Sequence, residues 1–138
     1  MATDYIISED KSKLDIPLIH NYLTNSYWAK GRSLATVETS IDNSLCFGVY
    51  NHGRQVGFAR VVTDYSVFAW IMDVFVLEEH QGKGLGKLMT DSIMKHNQLQ
   101  DLQRWGLNTF DAHTLYERYG FKELIKPEVH MELLSKPS

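Results

Sequence analysis

The chain reads as an α/β protein of the α+β kind, a central sheet of six to seven strands, mostly antiparallel, flanked by about four helices. Three observations predict this. Residues 44–50, 55–63 and 67–77 are three β-rich runs in succession, parted only by turn residues. Apolar residues recur at helical spacing on both sides of that block, over 14–29 and 84–97. The joins between the runs carry the right chemistry: Asn51-His52-Gly53-Arg54 suits a hairpin turn and Asp64-Tyr65-Ser66 a second one, which makes the three runs an antiparallel meander.

In chain order, residues 5–7 are a short first strand. Leu14, Leu18, Ile19, Tyr22 and Leu23 line one face of a helix over 14–29, with Pro17 near its start, where proline is tolerated. Lys30-Gly31-Arg32-Ser33 breaks that helix, and Ser33 is placed to cap a second through about Ile41. The third β run is apolar at almost every position, the pattern of a central strand covered on both faces. In the helix over 84–97, Leu85, Leu88, Met89, Ile93 and Met94 form the apolar stripe, while Lys87, Asp91 and Lys95 face water. Residues 102–108 are a further strand, and 112–119 a short helix stopped by Gly120. Residues 121–124 and 129–133 are expected as final strands either side of Pro127, and 135–138 as a loose tail.

The length of 138 residues suits one domain, 1–138, with room for a sizeable core. A net charge of −3 lacks the basic surface that nucleic acid would require. No apolar run approaches the roughly 20 residues that span a bilayer. The first residues show no basic region ahead of an apolar block, so no secretory leader is expected, and the reading is cytoplasmic. Cys46 is the sole cysteine, which excludes an internal disulfide and a cysteine metal cluster. His20, His52, His80, His96 and His130 lack metal-ligand spacing, so no metal is expected.

The most unusual stretch is Gln81-Gly82-Lys83-Gly84-Leu85-Gly86-Lys87, between the apolar third run and the helix that follows. A lone glycine there would be only a tight turn. Three at alternate positions are costly in folding entropy and need a reason. The first turn of a helix offers unpaired N–H groups at its positive end, and a backbone without side chains lets a phosphate approach them. Lys83 and Lys87 add positive charge. The nucleotide P-loop does not fit: it needs glycine where Gln81 stands and Ser or Thr where Leu88 stands. The dinucleotide fingerprint fails too, since its third glycine comes one residue early and the preceding strands form a meander.

Gln81-x-x-Gly84-x-Gly86, after a strand ending Val74-Phe75-Val76, resembles the acetyl-coenzyme A loop of the GNAT superfamily of N-acetyltransferases. Downstream, Ala112-His-Thr-Leu-Tyr116-Glu-Arg-Tyr-Gly120-Phe121 resembles that family's second motif, in the right order and spacing. The resemblance implies a strongly twisted mixed sheet whose fourth and fifth strands splay apart. It implies acetyl-coenzyme A as co-substrate, with pantetheine along Val74, Phe75 and Val76 and pyrophosphate on Gln81, Gly82, Lys83, Gly84, Leu85, Gly86 and Lys87. The family often has Asn seven residues before the motif tyrosine; Thr109 stands there, beside Asn108, so that contact is not carried over.

The implied reaction moves an acetyl group from a thioester to a primary amine in a ternary complex. The departing thiolate, whose conjugate acid has a pKa of about 8.5, must collect a proton, and a tyrosine with a pKa of about 10 can supply it. By the resemblance Tyr116 is that general acid, and a backbone N–H of the fourth strand polarises the carbonyl. Tyr119 is read as packing or a pocket wall. Asp73 is the one charge in an apolar strand and needs a partner or a function. Two roles are open: accepting hydrogen bonds from nearby backbone, or facing the acceptor to bind an ammonium or relay its proton. Trp70 occupies the position where some relatives place a basic catalyst, which it cannot be. Tyr27 and Trp28 are candidates for the acceptor pocket, together with Trp70, Asp64 and Asp73; Asp64, Asp73 and Asp111 in one pocket would suit a polycation. His113, near Tyr116, is read as a surface residue. The acceptor is expected to be a small molecule. The alternatives are a protein lysine or N-terminus, and a module that senses acetyl-coenzyme A without turnover. The family often dimerises, and no residue pattern here marks a dimer surface.

Overall fold

A computed structural model describes residues 4–136. Five strands form one sheet in the order β1-β2-β3-β4-β5: β1 Tyr5–Ser8, β2 Leu45–Asn51, β3 Arg54–Thr63, β4 Phe68–Val76 and β5 Arg104–Leu107. The first four pair antiparallel, and β4 and β5 run parallel. Helices α1 Ile16–Thr24 and α2 Leu34–Asp42 precede β2; α3 Leu85–Met94 connects β4 to β5, and α4 His113–Glu117 follows β5. The meander is as expected. His52 and Gly53 both have positive φ, 51° and 82°, the backbone that a two-residue hairpin needs to match strand twist.

The cap read at Ser33 is present: Ser33 accepts from Thr36 at 3.2 Å and starts α2. The first helix begins two residues later than expected, where Asp15 accepts from the Leu18 N–H at 3.1 Å and caps α1. The first helix is shorter than its periodicity suggests. It stops at Asn25, and residues 25–32 become a loop that lies over the sheet.

Two apolar clusters flank the sheet. Val49, Val61, Ala69 and Ile71 pack on Leu85, Met89 and Ile93 of α3. On the other face Cys46, Phe58 and Phe75 pack on Ile19 and Leu23 of α1 and Val37 and Ile41 of α2. The strands covered on both faces are β2 and β3, buried at nearly every position; β4 alternates buried and half-buried residues. The expectation of a fully covered β4 is therefore corrected: every second residue of β4 is only half-buried.

The two final strands expected over 121–124 and 129–133 do not form. Among the described residues the segment after Gly120 holds only a single 3-10 turn, Pro127–Val129, which brings the strand count to five. Its alternation had no surface to bury: Val129, Met131 and Leu133 are 70%, 91% and 89% exposed. The free edge available to it is β5, just four residues long. Among the described residues no helix is long and apolar enough to cross a membrane.

Candidate active site

Two irregularities of β4 build the site. β4 pairs with β5 only from Phe68 to Ile71, against Arg104 to Leu107. From Met72 to Val76 the edge that faced β5 has no strand partner, so the two strands part and leave backbone groups available in the gap. This is the splay that the fourth and fifth strands were expected to show.

The second irregularity is a bulge. On β3 the pairing steps from Phe58 to Arg60 while on β4 it steps from Phe75 to Met72, so β4 carries an extra residue. Asp73 sits in that bulge with a left-handed φ of 56°. The inserted residue reverses the alternation of β4. Ala69 and Ile71 face α3 before it, whereas Phe75 faces α1 and α2 after it. Trp70 and Asp73 consequently share the α1/α2 side of the sheet.

Asp73 is enclosed by cations. Its Oδ2 accepts from Arg32 Nη1 at 2.8 Å and Arg60 Nε at 2.9 Å, and its Oδ1 accepts from Trp28 Nε1 at 3.0 Å. Arg60 also donates to Ser44 Oγ at 3.0 Å. The Asp73 side chain has no exposure at all. Of its two open roles, accepting hydrogen bonds is the one seen, with side chains as donors in place of loop backbone. Both carboxylate oxygens are thus taken up by a guanidinium pair and an indole, which makes Asp73 the anchor of this cluster.

Asp64 and Asp73 do not combine into an anionic site. Asp64 is exposed and accepts from the N–H groups of Ser66, Val67 and Phe68 in the β3–β4 turn, which holds its pKa below the usual carboxylate range. It is a turn former. Asp73 is paired with two arginines, and of the three carboxylates only Asp111 adds its charge beside Tyr116. Trp28 is brought to the bulge by its indole. Tyr27 is 61% exposed and packs on Phe110 of the β5–α4 loop, ring centroids 5.4 Å apart, joining the α1–α2 loop to the far side of the gap. Trp70 stacks on Phe68 and covers Gly106 of β5, where a Cβ would lie 2.4 Å from the indole ring.

The glycine loop follows β4. Gln81 Nε2 donates to the Val76 carbonyl at 2.9 Å and closes the strand end. Gly82 and Gly84 have φ of 77° and 82°, and Gly84 is the N-cap of α3 with no side chain over the helix end. As a result the N–H groups of Gly82, Lys83, Gly84, Leu85, Gly86 and Lys87 have no acceptor among the described residues. Six successive free amides at a helix N-terminus form an anion-binding concavity. Gly86 serves a different purpose: a Cβ there would lie 3.4 Å from Leu115 Cδ2, so its bareness lets α4 lean on the first turn of α3.

That contact sets α4, which carries Tyr116, against the first turn of α3. Tyr116 is buried, packs edge-on against Phe121, and its hydroxyl has no hydrogen-bond partner among the described residues. Burial raises its pKa above the usual tyrosine value, and the charge of Asp111 raises it further. Tyr119 instead donates to Asp91, which also accepts from Lys87 Nζ at 3.0 Å. Partial burial and that carboxylate push the Tyr119 phenol up to about 12. Thr109 Oγ1 accepts from the Ala112 N–H at 3.0 Å and serves the α4 turn. Among the described residues no cluster of His, Cys, Asp and Glu could hold a metal ion.

A family model described as an acetyltransferase (GNAT) domain matches residues 42–123, from the end of α2 past α4. The chain belongs to that family and is an acyltransferase. A crystal structure of a GNAT-family protein from Xanthomonas campestris pv. campestris, itself a candidate acetyltransferase, superposes with a TM-score of 0.93 at 50% identity, over 96% of this chain and 94% of that one. A candidate acetyltransferase of Gibberella zeae is 29% identical over 147 residues, 87% of this chain and 80% of that protein. The spermine/spermidine N(1)-acetyltransferase of Bacillus subtilis is 34% identical over 91 residues, but the match takes in 54% of this chain and just 57% of that protein.

Arg32, Arg60 and Phe110 were not read as site residues from the sequence. Arg60 left a signal: it is a charge inside a buried strand, as Asp73 is, and two opposite charges in neighbouring strands invite pairing. Arg32 lies in a loop and left none.

Proposed function

We propose that the chain transfers an acetyl group from acetyl-coenzyme A to the primary amine of a small molecule, by direct transfer in a ternary complex, with Tyr116 as general acid. The observation that carries this is the run of six free amides from Gly82 to Lys87, set between the β4–β5 gap and the helix of Tyr116. A diphosphate fits those donors, and Gln81, Gly82, Lys83, Gly84, Leu85, Gly86 and Lys87 would hold it. The backbone of Val74, Phe75 and Val76, which has no strand partner on the gap side, would take the amide groups of a pantetheine arm, the Val76 carbonyl in exchange for Gln81 Nε2. A protein of the same fold from Clostridium acetobutylicum, 12% identical with a TM-score of 0.67, is solved with acetyl-CoA.

The bound co-substrate supplies an acetyl thioester; the chain positions it and manages the proton. Tyr116 holds a proton on its phenolic oxygen, free of competing hydrogen bonds, and gives it to the sulfur as the C–S bond breaks. Its raised pKa keeps that proton in place at neutral pH. Cys46 takes no part as a nucleophile. It lies under α1 and α2, and burial pushes its thiol up to about 11. Asp73 remains an anchor for Arg32, Arg60 and Trp28, and the amine loses its proton to water. The Tyr27–Phe110 contact links the α1–α2 loop to the β5–α4 loop and would narrow the acceptor side of the gap, which favours a small molecule over a protein tail. Tyr27, Trp28 and Trp70 form its wall.

The test is thiol release from acetyl-CoA across a panel of amino acids, amino sugars, polyamines, arylamines and lysine peptides, with Tyr116→Phe alongside. Saturable release with one class of small amine, reduced about 100-fold in kcat by the substitution, is the expected result. Release untouched by it removes Tyr116 from the mechanism. Tight binding of acetyl-CoA without release to any amine turns the reading towards a sensor.

A further inference from the structure

The acceptor wall holds more positive than negative charge. Two guanidinium groups, Arg32 and Arg60, meet the single carboxylate of Asp73. Among the described residues neither arginine has a second acidic partner, so the cluster carries a net charge of one positive unit. Its two cations are not equivalent. Arg60 is 8% exposed and divides its fork between Asp73 and Ser44. Arg32 uses Nη1 alone, and its side chain is 19% exposed. Its Nε and Nη2 have no protein acceptor among the described residues, and a guanidinium carries five N–H donors in a fixed plane.

Arg32 is also held in place. Its loop is pinned to the β4 bulge twice, by its own bond to Asp73 and by the Trp28 indole on the other carboxylate oxygen. The bulge lies within the free strand edge of Met72 to Val76, next to Val74. The remaining donors of Arg32 are thus fixed, partly desolvated and one hydrogen bond from the strand along which the acyl donor is proposed to lie. A fork in that condition suits a planar or tetrahedral oxyanion and binds it with little loss of side-chain entropy. It repels a polyamine.

We propose that the acceptor amine carries an anionic oxygen group, carboxylate or phosphate, which docks on the free donors of Arg32, so that Arg32 selects the acceptor class. This rests on the acetyltransferase reading above. It also separates this chain from the Bacillus relative, whose name specifies spermine and spermidine as substrates.

The experiment compares matched pairs: α-amino acids against their carboxamides and methyl esters, aminoalkyl phosphates against the corresponding amino alcohols, with spermidine and putrescine beside them. The wild-type chain should prefer the oxyanion-bearing member of one pair series by about 10- to 100-fold in kcat/KM, the range for a hydrogen bond to a charged group. The series that responds identifies carboxylate or phosphate. Arg32→Gln should erase that preference by raising KM far more for the charged member than for the neutral one; Arg32→Lys should restore part of it. Equal effects on both members would make Arg32 a structural residue and overturn the inference. So would preference of the wild-type chain for neutral amines or polyamines, a comparison that needs no variant to fold. Either result leaves the acetyltransferase reading standing, whereas transfer to no amine at all overturns that reading and the inference with it.

Discussion

Replacing Asp73 by Asn tests the anchor at the centre of the site. Asparagine keeps the size of the side chain and tolerates the left-handed φ of 56° better than most residues, so the backbone term changes little. What changes is charge. Arg60 is 8% exposed and Arg32 19%, and both would lose their only anionic partner among the described residues. Removing one member of a buried ion pair costs about 3–5 kcal/mol, because the other charge stays desolvated. Arg32 is the more solvated of the two, so the lower end of that range, about 3 kcal/mol, is the better figure. Against a total stability of about 5–15 kcal/mol that is a large loss. At roughly 3–4 °C per kcal/mol for a chain of this size, Tm falls on the order of 10 °C. Circular dichroism melts and urea titration measure it. Adding Arg60→Met, which removes one of the stranded charges, should recover part of the loss. At a temperature where the variant is folded, kcat should stay within about tenfold of wild type, with the acceptor KM raised. A Tm within about 3 °C of wild type, together with a collapse of kcat, would refute the anchor and restore Asp73 as a proton acceptor.

Three further predictions follow from the same geometry. Gly84→Ala places a Cβ on a residue with φ of 82° and should cost about 1–2 kcal/mol while raising KM for acetyl-CoA; Gly86→Ala meets Leu115 at 3.4 Å and should change stability by less than about 1 kcal/mol, and steady-state kinetics with thermal melts separate the two. Tyr116 acts in its protonated form and burial raises its pKa, so activity persists below that value and is lost as pH rises through it; a kcat profile should show its alkaline limb above the ordinary tyrosine value of about 10, and Tyr116→Phe should abolish that limb. Cys46, buried and with its thiol at about 11, should resist a disulfide reagent at pH 8 in the native protein and react fully in urea, followed by absorbance.

Much of this was legible in the sequence because it depends on local pattern. The meander, the cap at Ser33 and the glycine loop rest on residues a few positions apart, and they stand where the pattern put them. What depended on long-range pairing was not legible. Nothing local says that Arg32 and Arg60 close on Asp73, since their partners lie 41 and 13 residues away. The bulge at Asp73 was invisible too, because an inserted residue leaves the apolar run of β4 looking continuous while reversing the direction of everything after it. The C-terminal segment shows the opposite failure: Val129, Met131 and Leu133 alternate as a strand should, but alternation makes a strand only where a neighbouring edge exists to receive it. The glycines divide in the same way. Gly82 and Gly84 answer to backbone conformation, which the motif foretold, and Gly86 answers to α4, which it could not.

The most direct test of the account is a titration of the uniformly 15N-labelled chain with acetyl-CoA, read by amide chemical shifts. The free N–H groups of Gly82 to Lys87 should move together and further than any other set, downfield as they take up phosphate oxygens, with Val74 to Val76 following as the gap fills. Pantetheine, which lacks the diphosphate, should shift the β4 amides and leave the loop unmoved. Saturable binding that leaves the amides of Gly82 to Lys87 where they were would contradict the claim that this loop exists to hold a coenzyme's phosphates.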